Sequence, residues 1–332
     1  MNTPTHQRIV EYVASHGRAR PSELVKELNV SQVMIQRSLK ILLARGDIAK
    51  QGSAPLVFYT LTNAPRAVDM QVFGTAEQMR LIEETYVHVT SDGALLSGVA
   101  GFTRWQKDSA PKRQLADLAN EYEIQLKAID QRRNEFGLIP AIEKLQTTFG
   151  STPINSLYYS DVYSIPTFGR TSLARLVMHA KNHPEKSLMD MILQRIRRPL
   201  NELIAIEHID AVCFIPPTVP RPVQFMRELT EGLHIPLPLI DLVKVKSGDI
   251  AVPQKSLSST AERVTNAKQS MFIRSNTQLP YKNILIIDDV AGSGASFHEV
   301  AKKIMSICAP DTRLIAFAIV GNVKGYEVMR QI

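Results

Sequence analysis

The chain has 332 residues, 44% of them hydrophobic, enough for about two packed domains. It has no run of about 18 uncharged apolar residues, and its opening MNTPTHQRIVEYV lacks the apolar centre of an export signal; a membrane span and secretion are therefore not expected, and a cytoplasmic location is. A net charge of +7 fits a nucleic-acid or polyphosphate partner without choosing between them.

In the first 65 residues eight bases face four acids, a local net charge of +4. Thr3-Pro4 reads as a cap followed by proline at the first helical position, with Ile9, Val10, Val13 and Ala14 at helical spacing up to Gly17. A second short helix fits Pro21 to Leu28. Ser31 caps a third, whose stripe of Ile35, Leu39, Leu42 and Leu43 ends at Arg45-Gly46. IAKQGSAPLVFYTL then reads as two strands joined by a turn. Three helices and a hairpin in this order resemble the winged helix-turn-helix of bacterial regulators over residues 4–62, most specifically in VSQVMIQRSLKILLARGDI. With the apolar stripe facing the core, Gln32, Gln36, Arg37 and Lys40 point outward, as side chains that read base edges or hold phosphates do, and Lys50 and Gln51 fall in the wing. A module that only contacts protein is the alternative.

Residues 62–65, Thr-Asn-Ala-Pro, read as a linker, so the expected domains are a winged helix over 1–64, a helical connector over 65–150 and a third domain over 151–332. The connector contains GTAEQMRLIEETYVHV, a glycine-rich patch around SDGALLSGVAGF, a polar helix over 112–137 striped by Leu115, Leu118, Ala119, Tyr122, Leu126 and Ile129, and a further helix over 139–149. Such a stripe is ordinarily packing, and a dimerising helical pair is the alternative. Cys213 and Cys308 have no Cys or His at ligand spacing and are expected as reduced structural residues.

The chemistry concentrates in NILIIDDVAGSGASFHEVAKKI, residues 283–304. Ile284 to Ile287 form the continuous apolar run of a parallel strand covered on both faces, and ligands of such sheets bind at the carboxyl ends of strands, where Asp288 and Asp289 lie. Gly292-Ser293-Gly294 allows a tight turn with free N–H groups, and Ser296 is placed to cap a helix beginning near Phe297, together a seat for phosphate. Two acids beside that seat would repel a phosphate unless they hold something else, such as ribose hydroxyls or magnesium. A response-regulator receiver also opens on an apolar strand and paired acids, but residues 290–332 are too few to complete that fold.

The 283–304 stretch resembles the phosphoribosyl pyrophosphate (PRPP) motif of type I phosphoribosyltransferases. The resemblance implies that Asp288 and Asp289 hold the ribose hydroxyls, directly or through Mg2+, and that Gly292, Ser293, Gly294, Ala295 and Ser296 wrap the 5′-phosphate. One departure is Gly292, where many members of the family have Thr. Upstream, HIDAVCFIPP (208–217) reads as a strand and turn at the place of the pyrophosphate loop, with Pro216, Pro217, Thr218 and Val219 as candidates, followed by a helix and a strand over 237–245. QKSLSSTAERVTNAKQSMF resembles the flexible active-site loop of ComF-like members, matched at Gln254, Leu257, Ser258, Glu262, Arg263 and Asn266, and FGRTSLARLVMHAKNHPEKSLMDMILQRI resembles their opening segment, with Lys181 in its lysine position. The likeness covers about residues 158–320. It lacks the zinc-binding cysteines of that family and has Arg221-Pro222-Val223-Gln224 where relatives have Arg-Gly-Phe-Asn. Lys244, Lys246, Lys255 and Arg263 are candidate cations for pyrophosphate.

The implied fold is α/β, a parallel sheet flanked by helices, preceded by the α+β winged helix and the helical region. The implied function is a phosphoribosyltransferase acting on PRPP or a nucleotide and coupled to DNA or other nucleic acid. The alternative is a catalytically silent sensor that switches DNA binding, with the domain order of bacterial purine repressors. The Gly-Ser-Gly loop resembles conflict-system variants, which adds a retron effector partnered by a reverse transcriptase and its RNA. A homo-oligomer is expected if the winged helix reads a palindrome.

Overall fold

The computed structural model describes residues 5–44, 47–52, 57–62, 73–90, 93–182, 185–217, 223–244, 260–274 and 278–323, with backbone only for 260–263. The chain divides into two compact units, Met1–Gln71 and Val72–Ile332.

The first unit consists of α1 (Thr5–His16), α2 (Pro21–Leu28), α3 (Gln32–Ala44) and an antiparallel pair, β1 (Ile48–Gln51) and β2 (Phe58–Leu61). Proline opens α2, where its missing N–H costs nothing, and Asn29 ends it in the left-handed conformation at φ 50°. Ile9, Val13, Leu24, Ile35, Leu39, Leu42, Ile48 and Tyr59 fill the core. Ala19 exchanges both backbone hydrogen bonds with Tyr59, tying the segment between α1 and α2 to the pair. Two expected core residues are not in it: Ala14 is exposed and Leu43 is 36% exposed. Ile35, Ser38, Leu39 and Leu42 already complete the inner stripe of α3, and Leu43 falls past its edge.

The second unit runs α4 (Ala76–Thr85), β3 (Val87–Val89), β4 (Leu95–Ser97), α5 (Gly98–Ser109), α6 (Leu115–Asp130), β5 (Ile139–Pro140), α7 (Ile142–Phe149), β6 (Ile154–Val162), β7 (Ser164–Ile165), β8 (Gly169–Arg170), α8 (Ser172–Asn182), α9 (Lys186–Ile206), β9 (Ala211–Phe214), α10 (Phe225–Leu233), β10 (Leu242–Lys244), α11 (Thr260–Ser270), β11 (Met271–Ile273), β12 (Asn283–Ala291), α12 (Ala295–Met305) and β13 (Arg313–Gly321). Its main sheet has the order β5-β6-β13-β12-β9, all parallel except β5, which is antiparallel to β6. Alternate residues of β12 enter different cores. Ile284 and Ile286 pack with residues of α12 and of the helices preceding β6, while Leu285 and Ile287 pack with α8, α9 and α10. Cover on both faces is why Ile284 to Ile287 are apolar at every position rather than at every second one.

Several expected boundaries shift for local reasons. The helix expected over 112–137 occupies only Leu115–Asp130; the Asn134 side chain accepts the N–H groups of Phe136 and Leu138, building a turn that stops it. Ile139 and Pro140 are strand, not the start of α7. The strand expected over 237–245 shrinks to Leu242–Lys244, because Pro236 and Pro238 cannot donate to a ladder. The C-terminal part of the segment expected as a flexible loop is helical, α11.

The elements of residues 76–149 share the core of the sheet. Phe102 is fully buried, with ring neighbours Tyr86, Trp105, Tyr122 and Phe168 at 4.9–6.0 Å. Arg175 on α8 binds them to the sheet layer by donating to the carbonyls of Val87 at 2.8 Å and Phe168 at 2.6 Å. Phe102→Ala should therefore cost about 3–5 kcal/mol of unfolding free energy. Denaturant titration followed through Trp105, the only tryptophan, measures it in this unit alone.

Candidate functional site

β12 brings Asp288 and Asp289 to the carboxyl end of a central strand, in register with Ala318 of β13. Because side chains alternate, the two carboxylates leave on opposite faces. Asp289 takes the α8 side, where Lys181 from the last turn of α8 donates to its Oδ2 at 2.5 Å; Asp289 is buried and Lys181 partly so. Asp288 is half-buried, and its Oδ1 accepts the Asp289 backbone N–H at 2.8 Å. Burial first, and then the neighbouring Asp289 charge, pushes the Asp288 carboxyl up to about 8, against the pull of Lys181 and Lys244. Burial also lowers the Lys244 ammonium, and Asp288 opposes that shift. Lys181 and Lys244 are thus the cations that the fold brings to this pair.

The loop that follows differs from expectation in one respect. α12 begins at Ala295, two residues earlier than the sequence suggests, with Gly294 at its N-cap; the first helical bond runs from His298 N–H to the Gly294 carbonyl at 2.9 Å. Ser296 therefore lies inside the first turn and is not the cap. Gly294 sits at φ +79°, and a Cβ there would run into the Leu145 side chain of α7. Gly292 is different, since a Cβ there would meet nothing within 4 Å. Ser293 Oγ accepts the Ala295 N–H at 3.4 Å, and His298 stacks on Phe149 of α7 with ring centres 4.2 Å apart. Gly292 to Ser296 thus form one turn whose N–H groups lead into a helix N-terminus held from beneath by α7.

Other expected residues are only partly placed. Pro217 is exposed just after β9. Thr218, Val219, Lys246, Gln254, Lys255, Leu257 and Ser258 lie outside the described residues, as do Arg221 and Pro222. Arg263 has its backbone in α11, and nothing is described of its side chain. A cleft of about 620 Å³ runs along α8, lined by Arg175, Met178, His179 and Asn182 with His88, Trp105 and Phe168 opposite. A smaller cavity of about 280 Å³ includes Asp161, at the end of β6, and Arg195 in its wall. Arg195 donates to Ser172 Oγ at 2.8 Å; burial lowers its guanidinium and raises Asp161. Sequence reasoning missed both hollows, because Arg195 stands in a run of charged helix that reads as solvated surface.

In the first unit, Gln32, Gln36, Arg37, Lys40 and Lys50 are all exposed. Arg18 and Arg20 both stack on the Phe58 ring of β2, at 4.5 and 4.7 Å. That stacking gathers two guanidinium groups beside the strand pair, a cluster the sequence did not reveal because Phe58 lies far along the chain.

No protein-family model matches the sequence, and neither does any curated protein. Among solved structures, a hypoxanthine phosphoribosyltransferase from Staphylococcus aureus aligns at 14% identity over 43% of this chain and 82% of its own, with a TM-score of 0.24. A purine phosphoribosyltransferase from Pyrococcus horikoshii aligns at 19% over 43% and 93%, with a TM-score of 0.23. An adenine phosphoribosyltransferase from Leishmania donovani aligns at 12% over 52% and 80%, with a TM-score of 0.21. At these scores the likeness carries no argument, and the functional reading rests on the geometry of the site.

Two predictions follow from that geometry. A carboxyl raised in the folded state keeps its proton where the unfolded chain has lost it, so Asp288 makes folding less favourable as pH climbs from about 4 to about 8. In metal-free buffer, Asp288→Asn should therefore melt higher than the wild type at pH 8, with the difference vanishing towards pH 4. Gly294→Ala, facing both the positive φ and Leu145, should lower the melting temperature by several degrees, while Gly292→Thr leaves it within about a degree. Calorimetric melting curves test both.

Proposed function

We propose that the second unit is a type I phosphoribosyltransferase that binds PRPP, or a nucleotide, together with Mg2+. The observation that carries this reading is the pair of adjacent carboxylates at the end of a central parallel strand, followed five residues later by a helix N-terminus capped by Gly294. The two elements suit different parts of one ligand. N–H groups of Gly292 to Ser296 and the hydroxyls of Ser293 and Ser296 would take a 5′-phosphate. Asp288 and Asp289 would take the ribose hydroxyls, with Lys181 orienting Asp289.

The residues fit magnesium. A carboxyl raised by burial first and then by its like-charged neighbour is a place where a divalent cation is favourable. Among the described residues, no group of three or more His, Cys, Asp or Glu side chains could hold a metal. Asp288 and Asp289 would supply two oxygens, with water and ligand completing the shell, as is usual for this ion. Bound there, magnesium would withdraw charge from the leaving pyrophosphate. Lys244 would add positive charge on the Asp288 side. Positioning and charge stabilisation would carry most of such a reaction.

The first unit is read as a winged helix-turn-helix that binds DNA, with Gln32, Gln36, Arg37 and Lys40 entering the major groove and Lys50 following the backbone. Its support is the element order together with the outward, exposed placement of all five side chains. A second reading, a catalytically silent PRPP or nucleotide sensor controlling DNA binding, is favoured by the Lys181–Asp289 ion pair, which occupies an oxygen that a catalytic cation would use. A defence role as a retron effector is narrower and rests on the Gly-Ser-Gly loop. Packing does not demand Gly292, so the departure from Thr calls for a functional cause. A reverse transcriptase gene beside this one supports that role, and a nucleotide-biosynthesis operon in its place sinks it.

Magnesium-PRPP should bind saturably to the wild type in calorimetric titration and lose that binding in Asp288→Asn/Asp289→Asn. Pyrophosphate release with an added acceptor, followed in the same samples, separates enzyme from sensor. A wild type that ignores magnesium-PRPP refutes the site assignment.

A further inference from the structure

Successive residues of a helix are separated by about 100°. Ile35, Ser38, Leu39 and Leu42 define the buried face of α3, and directly opposite runs the line Val33, Arg37, Lys40 and Ala44. Val33 is 78% exposed, the most exposed large apolar side chain among the described residues. It does not belong to an apolar patch. Gln36 and Arg37 occupy the next turn, while the exposed Met34 and Ile41 lie on a flank roughly a quarter-turn away. A valine at the crest of a helix, with Gln36, Arg37 and Lys40 on the turns beside it, fits a polyanionic partner that presents an occasional methyl group.

DNA is such a partner. In the major groove thymine alone displays a methyl, and apolar side chains pack on it; glutamine pairs with adenine through N6 and N7. Val33 and Gln36 are three residues apart on one helix face and therefore reach the same or neighbouring base pairs, and both choices favour A·T. The net +4 of the first 65 residues and the two arginines on Phe58 match phosphate and argue against an apolar protein groove as the occupant.

We propose that Val33 is a specificity-determining residue that reads thymine methyl groups in the major groove, with Gln36 reading adenine beside it, so that this unit prefers A·T pairs. The inference rests on the DNA-binding reading of the first unit, and the test separates the two. The full chain is titrated at one fixed salt concentration with three duplex polymers, poly(dA-dT), poly(dA-dU) and poly(dG-dC). Deoxyuridine removes only the methyl and leaves phosphates and pairing edges in place. Wild type should bind the thymine polymer about fourfold tighter than the uridine polymer for each methyl covered, and more tightly than the dG-dC polymer. Val33→Ser, an exposed substitution that spares the core and removes the apolar surface, should bring the thymine-to-uridine ratio to about one, whereas Arg37→Gln should weaken binding while keeping the ratio. Equal affinity for the thymine and uridine polymers, or a preference that survives Val33→Ser, overturns the proposal but leaves DNA binding intact. Failure to bind any of the three overturns the DNA-binding reading as well.

Discussion

Two carboxylates stand on adjacent residues inside a packed layer, and much of the second unit can be understood as what holds them there. Burying one charge is costly and burying two side by side more so, unless opposite charge is supplied. The sheet order meets the need in part. Parallel β12 is flanked by β13 and β9, so its end is reached from one face by the last turn of α8, whose Lys181 meets Asp289, and Lys244 at the end of β10 supplies positive charge on the Asp288 side. Asp288 still holds its proton far above the usual carboxylate range, so its charge is not fully compensated by the protein.

The phosphate-seat turn depends on a contact from a different part of the chain. Gly294 occupies a backbone region that suits glycine, and the space its side chain would fill belongs to Leu145. Leu145 is itself fully buried, and Phe149 one turn later stacks on His298 of α12. The turn is thereby pressed against α7 by apolar packing. Residues 142–149 therefore do more than connect units; they form the floor beneath the candidate ligand site.

What the sequence disclosed follows from how local each signal is. The apolar run of β12, its acids and the glycine loop are contiguous, so one stretch of twenty-two residues carried strand, site and helix together. The inner stripe of α3 was legible because period 3.6 selects it, and the same period exposed Gln36, Arg37 and Lys40. The start of α12 was misplaced because Ser296 resembles a cap, while the cap position is decided by the conformation of Gly294, which depends on Leu145 far away in sequence. Lys181 matched a family position by resemblance, but its partner could not be read, since 108 residues separate it from Asp289. Val33 was left off the apolar stripe by the same period, but its residue type gave no reason to single it out among the outward groups.

A physical asymmetry separates the carboxylate pair from ordinary structural ion pairs. Arg198–Glu202 and Arg227–Glu231 are exposed i,i+4 pairs, screened by solvent, that can be lost with little consequence. Asp288 works the other way, since a neutral isostere there would relieve the fold of a raised carboxyl. The raised carboxyl of Asp288 stands beside a glycine turn, a helix N-terminus and two lysines. Oxygen-seeking cations and hydroxyl-bearing ligands are what such a carboxylate pair attracts, and a phosphate group is what the adjoining turn attracts. A single ligand carrying both features satisfies both demands, and a phosphorylated ribose is the simplest molecule that does.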